Sequence, residues 1–243
     1  MLRLIRTALR PAACGLVLVL GLSLSACAVD DATLEAKLEK VQISIDQGDY
    51  SAAEALLLEI CPVLADCPDH ILALLAEAQM GAGGVDVLNL IDAMDGLSGG
   101  DDTAVFDLVD AMFGADGVTA QEVADLADAI ATLQTIAVPT ASDALQLATA
   151  AAAHMVASVM LTTDPGNTGT LDSGLVTAPL AADVTSDLLL VSANAAAVDA
   201  FIAGTTDATT NLEGLIGDID GSGGGTIDGT IDQAELSAFV GSL

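Results

Sequence analysis

The chain has 243 residues, enough for one large domain or two small ones. It is 53% hydrophobic but only 2% aromatic, with no Trp, so alanine and leucine carry the apolar surface and the expected class is all-α rather than β. Five basic residues face 35 acidic ones, so no basic surface can neutralise phosphates, and nucleic acid is excluded as a direct partner.

At the amino end, Arg3, Arg6 and Arg10 precede an apolar run from Leu16 to Leu22, followed by small residues up to Cys27. That order is a secretory signal. The run is shorter than the ~20 residues a membrane span needs. Leu24-Ser25-Ala26-Cys27 resembles the lipobox of bacterial lipoproteins. The resemblance implies that residues 1–26 are removed and that Cys27 is acylated on its thiol, as with palmitate, and on its new amino terminus. An ordinary signal peptide containing a cysteine is the alternative. Ala28 stands where Asp marks inner-membrane retention in enteric-type bacteria, so the expected location is the outer membrane, facing the periplasm. After Cys27 only Lys37 and Lys40 oppose all 35 acids, a net charge of −33. An anionic membrane would repel such a body, which leaves the acyl chains to hold it there. The acidity itself reads as solubility or as adaptation to a salty habitat.

The expected organisation is a signal (1–26), a helical domain (27–162), a loop (163–185) and C-terminal helices (186–243). Cys14 leaves with the signal, so Cys61 and Cys67 remain as a pair in an oxidising compartment. Continuous helix would hold them ~9 Å apart, beyond the ~7 Å limit for a bridge. Pro62 and Pro68 disfavour helix at each cysteine, so a folded-back turn and a structural disulfide are expected.

Asp30 to Tyr50 predicts a first amphipathic helix with Leu34, Leu38, Val41 and Ile45 on one face. Gly48-Asp49-Tyr50 breaks it, and Ala53, Leu56, Leu57 and Ile60 form the apolar side of the next. A helix ending in Gly-Asp-Tyr with Ala three residues later resembles the helix-turn-helix of tetratricopeptide repeats. Gly83-Gly84-Val85 lies 35 residues after Gly48-Asp49-Tyr50, close to that family's period of about 34. The resemblance covers Asp31 to Asp92 and implies an antiparallel helix stack that binds peptides or partner helices. The alternative is an irregular helical bundle that uses one such hairpin.

Further on, Val87, Leu88, Leu90 and Ile91 form one apolar cluster and Val105, Leu108, Val109 and Met112 another, divided by the Gly-rich stretch from Gly96 to Asp102. Thr119 and Glu122 form a capping box that starts a helix through Val123, Leu126, Ile130 and Leu133. Ser142 is the expected cap of a long apolar helix to Leu161, which belongs at the centre of a bundle. His154, on that helix, reads as a packed core residue. Thr162 to Thr177 reads as a loop. A helix from about Ser186 to Ile202 follows, with Leu188, Leu189, Val191, Ala195, Val198 and Ile202 inside.

After a short helix through Leu212, Leu215 and Ile216, Asp218-Ile219-Asp220-Gly221-Ser222-Gly223 begins like an EF-hand calcium loop. Thr230-Ile231-Asp232-Gln233-Ala234-Glu235 looks like its end. The EF-hand loop has twelve residues; Asp218 to Glu235 spans 18, and removing Gly224 to Gly229 restores the pattern. The resemblance assigns Asp218, Asp220, Ser222, the Thr230 carbonyl, Asp232 and bidentate Glu235 as calcium ligands, with Asp228 as a possible substitute. The inserted segment raises the ordering entropy of the loop, so binding is expected in the weak range, ~10⁻⁴ to 10⁻³ M. A Gly- and Asp-rich surface loop is the alternative.

No His-Glu-x-x-His, Walker or dinucleotide motif is present. The expectation is therefore not an enzyme but a membrane-anchored envelope lipoprotein that binds an envelope protein or peptide on a helical scaffold, with a weak Ca2+ site. The alternatives are a module in which Ca2+ gates a partner surface, and an acidic structural lipoprotein without metal.

Overall fold

The computed structural model describes residues 33–85, 113, 117–197, 217–222 and 230–242. The lipobox, the two apolar clusters between Val87 and Met112, the helix through Leu212 and the inserted residues 224–229 lie outside them. The chain divides into two compact units, Met1–Lys40 and Val41–Leu243. Every described element is helical, as the composition predicts: α1 (Leu34–Asp46), α2 (Tyr50–Ile60), α3 (Asp69–Ala82), α4 (Ala120–Gln134), α5 (Ala141–Thr163), α6 (Ala178–Ala193) and α7 (Gln233–Val240). Short 3-10 turns lie at Leu64–Asp66 and Ser173–Leu175.

Most described helices start where a side-chain cap puts them; α3, which follows Pro68, has none. In the first unit, Thr33 accepts the Ala36 N–H through its hydroxyl at 3.2 Å. Asp49 caps α2, and Thr119 with Glu122 forms the expected capping box of α4. The long helix α5 is capped by Thr140 with Asp143, not by Ser142, because Asp143 at the third helical position can reach back to the Thr140 N–H at 2.7 Å. Leu34 is 54% exposed at the first residue of α1, against expectation, whereas Val41 and Ile45 are buried as predicted.

In the second unit α2 packs on α3, α3 on α4, α4 on α5, and α5 on α6. Two close approaches fix the first two of these contacts. A Cβ on Gly81 would collide with ring carbons of Tyr50, and one on Gly83 would fall 2.6 Å from Leu126. Glycine lets the Tyr50 ring lie on the α3 backbone and lets Leu126 of α4 approach its end. A polar thread crosses the same three helices. Gln79 donates to Glu54 of α2 at 3.1 Å and accepts the Thr132 hydroxyl of α4 at 2.9 Å. Gln79 and Thr132 are both buried, so each satisfies the other's polar atoms where water is absent.

Cys61 and Cys67 are joined in a disulfide, with their Cα atoms 5.7 Å apart. Cys61 ends α2 and Cys67 has extended backbone, as the prolines after them require. Replacing both by Ala is expected to lower the unfolding free energy by about 2 kcal/mol, from the loop-closure entropy of so short a ring. The check is a urea midpoint that falls in the oxidised protein and matches that of the reduced wild type.

Helix α5, at 23 residues, is long and apolar enough to cross a bilayer. It lies instead between α4 and α6, the central position its sequence predicts. Its buried stripe is small: Ala150, Ala153 and Ala157 let neighbouring helices come close. The loop after it is built around Asp164. That carboxylate accepts the Thr168 N–H at 2.8 Å, the Thr168 hydroxyl at 2.9 Å and the Gly169 N–H at 2.7 Å. Burial raises its pKa, but the hydrogen bonds from Thr168, Gly169 and Thr170 outweigh burial and hold it below the ordinary carboxylate range.

Helix α6 begins at Ala178, not near Ser186, and residues 178–185 are helix rather than loop. Thr177 caps it and Pro179 sits in its first turn, a start signal hidden by the Gly/Thr-rich stretch before it. Leu188 and Val191 are buried, but Leu189 is 60% exposed; Val198 and Ile202 lie outside the described residues. Val176, Leu180, Ala181, Val184 and Leu188 form a core with Ile219, Ile231, Leu236 and Val240, closing α7 onto α6.

Candidate functional site

The C-terminal candidate divides into two halves of different quality. In the exit half, Asp232 caps α7: its side chain accepts the N–H groups of Ala234 and Glu235 at 2.7 and 2.9 Å. Glu235 reaches back to the Asp232 N–H at 2.9 Å, which completes a capping box. Thr230 is exposed at the start of this segment. Ile231 is buried and exchanges hydrogen bonds with the Thr185 hydroxyl of α6, each at 3.2 Å. Gln233 donates to the Val176 carbonyl and Ser237 to the Ser173 carbonyl, both at 2.8 Å. The exit half is thus pinned to α6 and the turn before it by polar and apolar contacts together.

The entry half is not an oxygen-lined loop. Residues 217–220 form a helical turn, on which Gly221 N–H bonds the Gly217 carbonyl at 2.9 Å. Two residues of helix rotate the side chain by roughly 200°, so Asp218 is exposed while Asp220 is fully buried. The Ser222 hydroxyl donates to the Asp218 carbonyl. Asp218 and Asp220 therefore do not converge, and among the described residues no group of three or more His, Cys, Asp or Glu is placed to hold a metal. Asp228 and Cys27 lie outside the described residues.

A second polar site emerges where the sequence shows only a core histidine. His154 Nδ1 lies 2.7 Å from Asp187 Oδ2, across the α5–α6 interface, and Ser158 Oγ lies 3.5 Å from His154 Nε2. The side chains of His154 and Asp187 are 14% and 6% exposed. The hydrogen bond to Asp187 raises the His154 pKa; burial opposes this, and the charges of Asp187 and Asp183 add to the rise. Burial raises the Asp187 pKa in turn, against the pull of His154.

Neither a protein-family model, nor a curated protein, nor a solved structure matches this chain. The connectivity of Asp187, His154 and Ser158 is that of a nucleophile, base and orienting acid. Acyl transfer also needs donors for the developing oxyanion. Ser158 is mid-helix and buried, where the backbone N–H groups around it are committed to the helix. The arrangement is better suited to holding a proton between two helices than to attacking a substrate. Sequence could not pair His154 with Asp187, which lies 33 residues away on a helix whose start is concealed.

Proposed function

We propose that the chain is a lipid-anchored envelope lipoprotein that serves as a non-enzymatic helical scaffold for another envelope protein or peptide. The observation that supports this reading is serial packing, each described helix from α2 to α6 lying against the next. In helical-repeat proteins that nearest-neighbour arrangement creates an extended binding surface. The lipobox-like residues ending at Cys27 supply the address. Cross-linking the full-length chain in its own envelope tests the reading. A defined partner, competed away by the free soluble body, supports it; the same diffuse adducts with and without competitor overturn it.

A weak calcium site at the C-terminal end belongs to the same proposal. Asp232 and Glu235 stand at the cap and third position of α7, as a bidentate closing Glu requires. Binding would ask Glu235 to exchange the Asp232 N–H for the ion and the 217–222 turn to open. Both costs point to the weak range, ~10⁻⁴ to 10⁻³ M. Millimolar calcium is expected to protect residues 212–243 from proteolysis, and Glu235→Gln to abolish that protection. Gln still completes a capping box, so the loss would report coordination and not fraying of α7. Calorimetry silent at millimolar calcium overturns the site and leaves the acidic structural reading. The contacts pinning the exit half to α6 favour a gating variant, in which chelation changes partner capture.

A further inference from the structure

We propose that His154 and Asp187 form a pH-operated latch between α5 and α6, closed when the imidazole is protonated, whose opening loosens α6 and the C-terminal helix docked on it. The first observation is the geometry, a largely buried 2.7 Å contact joining two long helices. The second is the charge inventory. No Lys or Arg occurs after Lys40, and His70 and His154 are the only later side chains that can become cationic. Asp187 therefore takes its counter-charge from a group that gives it up near neutrality, where a Lys or Arg would keep it.

The groups acting on His154 among the described residues are Asp187 and Asp183, both on α6. Glu122, Asp125 and Asp128 of α4 and Glu235 of α7 are not among the charges that shift it. When the imidazole loses its proton, its N–H still reaches Asp187, but the charge assistance ends. Two carboxylates one turn apart on α6, Asp183 and Asp187, then lose the imidazolium charge that both of them favour. Downstream, Thr185 lies between them in sequence and bonds Ile231, and Val184 and Leu188 pack in the core that holds Leu236 and Val240. Loosening this stretch of α6 removes part of the seat of α7.

The sign follows from linkage. The folded imidazole holds its proton more tightly than the unfolded one, whose pKa is about 6.5. The stabilisation is fully present below that value and is lost as pH rises through the folded pKa. Hydrogen exchange of the full chain, corrected for intrinsic rates, should show protection of α6 and α7 falling with rising pH while α3 holds. Each unit by which the folded pKa exceeds about 6.5 corresponds to a tenfold fall. His154→Gln should flatten the profile; the same pH profile in that variant overturns the latch. Titration of the imidazole by NMR provides a second arm. Asp187→Asn should lower the His154 pKa, and an unchanged value would also overturn it.

Discussion

Leu75→Ala is expected to cost about 2–5 kcal/mol of folding stability. Leu75 is fully buried in the middle of α3, and α3 packs against both α2 and α4. Its neighbours on the same helix, Ile71, Leu72, Ala76 and Ala78, are buried too, so the cavity is walled by side chains that already have partners. The helix backbone, held by Gln79 to Glu54 and Thr132, has little freedom to collapse into it. Leu58→Ala on α2 is the control, since Leu58 is 43% exposed and should change stability by about 0.5 kcal/mol or less. Urea unfolding checks both. Equal midpoints for the two variants would mean that α3 is not the centre of this stack.

Cys27→Ser should abolish stable membrane association. Two acyl chains on one residue satisfy the two-signal requirement for anchoring. The chain after Cys27, with two lysines against 35 acids, offers an anionic surface nothing to attract. Fractionation should move the variant wholly to the soluble or unprocessed pool, and metabolic labelling with palmitate should be lost with it. A variant that stays in the membrane fraction at wild-type level would show that Cys27 is not the anchor. Helix α5, which passes the length and hydropathy test for a span, would then be the segment to examine next.

Much of the helical order was legible because its signals are local. Period and caps located α1, α2, α4 and α5 within a few residues, and Thr119 with Glu122 marked the start of α4. Proline after each cysteine foretold a turn tight enough for the Cys61–Cys67 bond. Local signals failed where composition masked a start or where contacts are long-range. The Gly- and Thr-rich run before Thr177 hid the beginning of α6, and with it the fact that Asp183, Thr185 and Asp187 share one helix. At the C-terminal end, alternating oxygens at Asp218, Asp220 and Ser222 suit a calcium loop. An i, i+2 spacing does not dictate backbone, and a helical turn sends the two carboxylates to opposite sides. Side-chain chemistry proposes ligands, but the backbone decides whether they meet.

Tyr50 has a practical meaning beyond its packing. It is the only tyrosine in a chain without tryptophan, and its ring rests against Gly81 at the junction of α2 and α3. Tyrosine emission and the tyrosine bands of near-ultraviolet dichroism therefore report one ring at one helix–helix contact. Spectroscopic melting by these signals follows the α2–α3 hairpin, whereas far-ultraviolet dichroism averages over every helix. Divergence of the two curves would measure directly how independently the hairpin and the α5–α7 end come apart.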